Sequence, residues 1–336
     1  MRISFFAAAI TAVVQSCRLP STYTELAQAL RDRLPECDTT AQRARLPQKN
    51  FYSMVNLENR LEDSEFEHGS SALYWANQGE QDGQLANLES ERGISWVRAR
   101  DAHPAATLFG PDGVSIDQFP TLFTGNNWFV SGLAAIAETP GRMEKLFLNT
   151  DNAQTSSGLY AVQLYALGMP MTVMVDDYMP AIQQEDNSFT TLFSELSADT
   201  PLWTVIMEKA FAKRYGNYEH ITEGVPSEAI RALTGNPILQ YKHDDMNEET
   251  LWQLITDKNA VDDFIVASTE GMKEDEIPKN IEGVKPGHVY TVIGTHILSK
   301  TKQKLIKIRN PWGKPGFHGT MTGSAWDEQS IKETGY

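Results

Sequence analysis

Cysteine is almost missing. Cys17 and Cys37 are the only two in 336 residues, and both lie near the start. This excludes a disulfide framework and a cysteine-based zinc site, leaving at most one bridge inside the N-terminal extension. Long apolar runs are missing too. The stretch from Phe5 to Val14, behind Arg2, is about ten residues, too short to span a bilayer, so no integral membrane segment is expected. Residues 1–16 have the outline of a secretory signal peptide, with a packed N-terminal helix as the alternative. No Asn-x-Ser/Thr sequon follows, which weighs against secretion. The expected location is intracellular and cytoplasmic, with secretion as the alternative. Basic charge is short: 29 Lys and Arg stand against 44 Asp and Glu, a net −15. The basic cluster Lys300, Lys302, Lys304, Lys307 is small, so no nucleic-acid partner is expected. The acidic excess serves either solvation or calcium binding. There are no internal repeats and no low-complexity segments.

What is present centres on Gly125-Asn126-Asn127-Trp128. Nearly every position from Trp128 to Ala137 is apolar or small, so the sequence predicts a buried central helix over Asn127 to Glu138, stopped by Pro140-Gly141. The start of such a helix favours negative charge, and a thiolate is well placed there. The residue at that point is Asn127. Asparagine is among the best helix caps, and capping is the expected job of Asn127. Ser131 lies one turn further on the same face and is expected in the core rather than as a substitute nucleophile.

Along the chain, residues 1–60 read as an extension, with a short helix over Thr22 to Leu34. Leu61 to Gly93 is acidic and polar and reads mostly as loop. Ile94 to Arg98 is a strand, and Arg142 to Phe147 a second helix. Gly158 to Leu167 and Met171 to Val175 alternate as strands. Asp176-Asp177 reads as a strand end rather than a metal or acid pair. Leu202 to Tyr215 has helical spacing, with Glu208, Lys209, Lys213 and Arg214 expected outward and Gly216 as C-cap. Ser227 to Leu233 and Glu248 to Thr256 are further helices, and Phe264 to Ser268 is a strand.

Val289 to Thr295 and Lys304 to Arg309 form an antiparallel hairpin across Ser-Lys-Thr-Lys-Gln. Its pairing brings residues near 310–313 opposite His288, so His288 and Asn310 become neighbours. A helix start suited to a nucleophile, a histidine and an asparagine that orients it make up the set a cysteine peptidase uses.

These stretches resemble the protease core of calpains, papain-like calcium-dependent cysteine endopeptidases. Gly125-Asn126-Asn127-Trp128 resembles the family's Gly-Asp-Cys-Trp. Gly287-His288-Val289-Tyr290-Thr291-Val292 is similar to Gly-His-Ala-Tyr-Ser-Val, and Arg309-Asn310-Pro311-Trp312-Gly313 is intact. Glu208-Lys209-Ala210, Gly216 to Glu219, Glu62 to Phe66 and Ser70 to Tyr74 also match, in the family's order. The resemblance implies an α+β, papain-like fold: a helical first subdomain over 61–224, an antiparallel β second subdomain over 225–336, and a cleft between them for a peptide or protein partner. It implies nucleophile, base and orienting roles at positions 127, 288 and 310, with Trp128 and Trp312 supporting the cleft.

The departures carry as much weight. An amide cannot replace a thiolate. The family's oxyanion glutamine falls at Thr121, and Gln118 is three residues away. Losing one such donor costs roughly 3 kcal/mol of transition-state stabilisation. The family's calcium positions fall at Gln118, Pro201 and Gly316, with Asp327 a further candidate, so calcium binding is expected to be weak or absent. The expectation is a calpain-like pseudoprotease that binds or scaffolds a partner. The alternative is an active calcium-dependent endopeptidase.

Overall fold

The computed structural model describes residues 61–74, 84–115, 126–150, 157–194, 196, 201–269, 284, 287–311 and 327–335. In chain order the elements are α1 (Ser70–Leu73), α2 (Gln84–Arg92), β1 (Ser95–Arg98), α3 (Ala99–Ala102), α4 (Asn127–Ala137), β2 (Leu159–Ala166), β3 (Met169–Asp176), β4 (Tyr178–Gln183) and β5 (Phe189–Thr191). They continue with α5 (Trp203–Tyr215), α6 (Pro226–Thr234), α7 (Glu248–Ala260), β6 (Val266–Ser268), β7 (Val289–Ile297), β8 (Lys304–Arg309) and α8 (Glu328–Thr334). All strand pairs among the described residues are antiparallel, in the orders β1-β4-β5, β2-β3 and β6-β7-β8. This is an α+β architecture.

Helix α4 is the axis. Every residue from Trp128 to Ala137 is buried. It packs against α6 and β7, and Phe129 stacks on Phe211 of α5, within a core that also takes in Tyr160, Val162 and Leu164 of β2. Those three alternate along the strand, so one face of β2 meets the core, while Leu159 and Ala161 on the other face pack with Leu61 and Met174. A separate small cluster of Leu251, Ile255, Ala267 and Val292 joins α7 to the β6-β7-β8 sheet.

Several elements depart from the sequence reading. The polar stretch 61–93 contains α1 and α2, because Leu85 is buried and Leu88, three residues on, packs against the core beside it. Arg142 to Phe147 forms only a single 3-10 turn, Glu144–Leu146, since so short a segment cannot propagate an α-helix alone. Strands β4 and β5 carry no clear alternation, and Pro180 sits within β4, a residue that ordinarily argues against a central strand. Helix α4 ends at Ala137, with Glu138 as its C-cap.

The largest correction concerns α5. Glu208 and Lys209 are 2 % and 0 % exposed, not outward. The Lys209 ammonium lies 2.5 Å from Asp176 Oδ1 and 2.6 Å from the Tyr178 carbonyl oxygen. His68 Nε2 meets Asp176 Oδ2 at 2.7 Å, and the Asp63 N–H donates to the same oxygen at 2.6 Å. Burial alone would raise the Asp176 pKa, but the Lys209 charge and these hydrogen bonds outweigh it and hold the carboxyl below its usual range. Asp177 pairs with Arg98 at 2.6 Å. The Asp176-Asp177 strand end is thus the anchor that ties residues 61–68 and β1 to β3 and α5.

Thr22 to Leu34, residues 1–16, Cys17, Cys37, Gln118, Thr121, Trp312 and Gly316 lie outside the described residues.

Gly132 marks the closest approach of two helices. A Cβ built there would lie 2.9 Å from the Ala229 Cβ on α6. In a free helix Gly→Ala stabilises by about 1 kcal/mol. Here the clash reverses the sign. Gly132→Ala is expected to lower stability by about 1 kcal/mol or more, read as a lower urea midpoint with an unchanged m-value.

Candidate active site

Helix α4 presents two consecutive asparagines at its start, and they point to different partners. Asn126 precedes the helix with φ −87° and ψ 15°, and its carbonyl accepts from the Phe129 and Val130 N–H groups at 2.9 and 3.0 Å. It occupies the N-cap position, though its side chain makes no capping bond. Asn127 is therefore the first helical residue, not the cap expected from sequence. Its amide reaches across to the β6-β7-β8 sheet, where Nδ2 is 3.0 Å from His288 Nδ1.

His288 is fixed from behind. It sits immediately before β7, its N–H donates to Thr269 Oγ1 at 2.9 Å, and its carbonyl accepts from the Thr269 N–H at 2.9 Å. Its ring stands edge-on to Tyr290, with centroids 4.8 Å apart. The hairpin register pairs Thr291 with Arg309, so extending it by one residue places Asn310 opposite Tyr290 and diagonal to His288. His288 Nε2 and Asn310 Oδ1 are 3.0 Å apart. The structure thus brings Asn127, His288 and Asn310 together; the hairpin spacing accounts for the His288–Asn310 pair, and the resemblance implied Asn127 beside it.

One neutral tautomer satisfies both contacts. With the proton on Nε2, His288 donates to Asn310 Oδ1, while its Nδ1 lone pair accepts from the Asn127 amide. In a thiol peptidase that lone pair takes the nucleophile's proton. Here it faces a carboxamide N–H, which is too weak an acid to give its proton up.

Trp128 and Ser131, on the same helix, are held by the core. Trp128 is 2 % exposed, and its Nε1–H donates to the Ile221 carbonyl at 3.0 Å. Gly224 lies flat on the indole: a Cβ there would fall 2.4 Å from Trp128 Cε2. Ser131 is fully buried and its hydroxyl donates to the Val289 carbonyl at 3.2 Å, as a core residue would.

Beneath the site lies a carboxylate that sequence reasoning put on the surface. Glu208 Oε1 accepts from the Asn126 amide and Oε2 accepts from the Ser194 N–H at 3.0 Å. Burial pushes its carboxyl up to about 7, against the pull of those hydrogen bonds. A carboxylate at position 126 would place two acids in contact; the amide donates instead. The signal was available: positions 202 to 212 carry apolar residues on every side, which marks a buried helix as it does for α4. Thr269, the residue that clamps His288, left no such signal.

Of the calcium candidates, Pro201 and Asp327 lie among the described residues. Pro201 has no side-chain oxygen, and its carbonyl accepts from Thr204 Oγ1 at 3.4 Å. Asp327 caps α8, accepting from the Ser330 N–H at 2.8 Å and its hydroxyl at 2.7 Å, with Lys300 at 3.5 Å. Among the described residues, no group of three or more His, Cys, Asp or Glu side chains is placed to hold a metal ion. No described helix is long and apolar enough to cross a membrane.

A buried helix that opens on the residue facing His288, with Asn310 behind that histidine, defines the arrangement of a papain-like peptidase core. A family model described as calpain family cysteine protease matches residues 61–334, and the chain belongs to that family. It is 28% identical over 268 residues to calpain-5 of Caenorhabditis elegans, covering 71% of this chain and 40% of that protein. It is 27% identical over 246 residues to human calpain-12, covering 71% and 33%. It is 26% identical over 235 residues to the human calpain-2 catalytic subunit, covering 68% and 32%. The aligned part of the chain therefore spans two fifths or less of the length of these relatives.

Glu208 makes the stability of this centre depend on pH. Its folded pKa lies above the ordinary carboxylate value, so the native state holds the proton more tightly than the unfolded chain. Stability is then greatest below the unfolded value and falls as pH rises from about 4.5 through about 7, by roughly 3 kcal/mol in all. Urea titrations between pH 5 and 8 are expected to show this decline, and Glu208→Gln, with the Asn126 amide turned to accept from it, is expected to flatten it.

Proposed function

We propose that this chain is a proteolytically silent calpain-type core that binds an extended segment of a partner protein in the cleft beside His288. The observation that carries the reading is the hydrogen bond from the Asn127 amide to His288 Nδ1 at 3.0 Å. It puts a group with no acidic proton and little nucleophilicity where a thiolate would have to form. Thr121 in place of the oxyanion glutamine and Asn126 in place of the family's aspartate support the same conclusion from sequence. The cleft of such a core accepts an extended peptide through backbone hydrogen bonds and side-chain pockets, and neither needs a nucleophile. His288 and Asn310 keep a working geometry, 3.0 Å apart, which is the one feature that speaks for the second reading, an active calcium-dependent endopeptidase.

The test is a turnover assay on a denatured casein-like protein with calcium, comparing the unmodified chain with Asn127→Cys. The unmodified chain is expected to give no cleavage above background. Cleavage that a thiol-reactive inhibitor abolishes would overturn the silent reading. Asn127→Cys is expected to recover at most slight activity, at least about a hundredfold below an active core, because the oxyanion donor stays missing.

A further inference from the structure

The resemblance implies that a divalent cation governs this core, yet the described residues at the corresponding positions do not fit one. Pro201 offers only a carbonyl, which faces Thr204, and Asp327 is occupied as the cap of α8. The relation between α4 and the β6-β7-β8 sheet can instead be set by the protein's own contacts. The structure supplies them as side-chain hydrogen bonds distributed along the helix.

At the mouth, the Asn127 amide donates to His288 Nδ1. One helical turn deeper, Ser131 and β7 exchange a reciprocal pair. The Ser131 hydroxyl donates to the Val289 carbonyl at 3.2 Å, and the Thr291 hydroxyl donates to the Ser131 carbonyl at 3.0 Å. Ser131 and Thr291 are 0 % and 1 % exposed, so water does not compete for these bonds. Beyond the C-terminal end of the helix, Arg142 Nη1 donates to the Asp262 carbonyl at 3.1 Å, and its guanidinium lies 4.9 Å over the Phe264 ring. The sequence separations are 161, 158, 160 and 120 residues, so each bond joins remote parts of the chain.

These contacts have a geometric consequence. Asn127 and Ser131 lie on one face of α4, while His288 immediately precedes β7 and Val289 and Thr291 lie at its start. A slide of one past the other breaks the bonds together and strands buried polar atoms, which is costly. We propose that Asn127, Ser131 and Thr291 form a metal-independent latch that holds α4 and the β6-β7-β8 sheet in their assembled relation, so that the cleft is set with or without calcium. In this view Asn127 is a positioning residue that joins two halves of the core. The inference goes beyond the proposed function and stands or falls separately from it, since its test reads a distance and neither turnover nor peptide binding.

The experiment uses the full chain carrying Cys17→Ser, Cys37→Ser, Met169→Cys and Gln253→Cys, with spin labels at the last two positions. Met169 is an exposed residue of β3, and Gln253 is exposed on α7, which packs against β7. Pulsed dipolar spectroscopy in EGTA and in millimolar calcium is expected to give the same single narrow distance, to within about 2 Å, below the scale of a domain rearrangement. Adding Ser131→Ala with Thr291→Val, which removes the hydroxyls at nearly constant shape, is expected to destroy the single narrow peak in EGTA. A calcium-dependent shift in the labelled parent overturns the proposal, whatever the variant does. A folded latch variant, checked by circular dichroism, that keeps the narrow peak overturns it as well.

Discussion

The structure depends on burying α4 on every side. Apolar side chains from Trp128 to Ala137 provide the drive, since each large one removed from water contributes about 1.5–3 kcal/mol. The constraint lies at the ends and at the one hydroxyl. A helix start inside a protein brings polar groups with it, and each needs a partner. Asn126 turns to Glu208 on α5, Asn127 turns to His288 before β7, and Ser131 turns to Val289 and Thr291. The site is the set of solutions to that requirement, and its parts come from three regions of the chain because three regions cover the helix.

A second polar layer does for the periphery what the asparagines do for the centre. Lys209, fully buried beside Glu208 on α5, is neutralised by Asp176, which also takes His68 and the Asp63 N–H. Lys213, a turn further along α5, meets Asp63 at 2.7 Å. Buried pairs of this kind add little net stability over apolar packing, but removing one partner is severe. They join residues 61–68 to β3 and α5 at defined points. The same α5 therefore positions the chain's first described segment through Lys209 and Lys213, and the start of α4 through Glu208.

Much of this was legible in the residues themselves. The all-round apolar run of α4, the alternation in β2 and the hairpin whose register joins His288 to Asn310 follow from period and spacing. Strand β4 was not legible, because Pro180 breaks the rule that marks central strands and its partner strands are short. Glu208 and Lys209 were misplaced outward for a different reason. Charge is a sound guide to exposure only when no complementary group awaits it inside, and Asn126, Ser194, Asp176 and Tyr178 are between 14 and 82 residues away. Asn127 shows the same limit at finer scale. Asparagine at a helix start suggests a cap, but Asn126 took that position and freed the next side chain to reach a partner 161 residues on.

By itself the sequence determined that this chain builds a calpain-type core and that the position facing its histidine holds a carboxamide. Both are properties of local pattern and residue chemistry, which no packing can alter. Only the tertiary structure decided what the carboxamide does, because a hydrogen bond between residues 127 and 288 depends on where two remote elements are held. It turned Asn127 from a helix cap into a bridge to His288 and Glu208 from a solvated face into the support beneath the site, and it showed Asp327 capping α8.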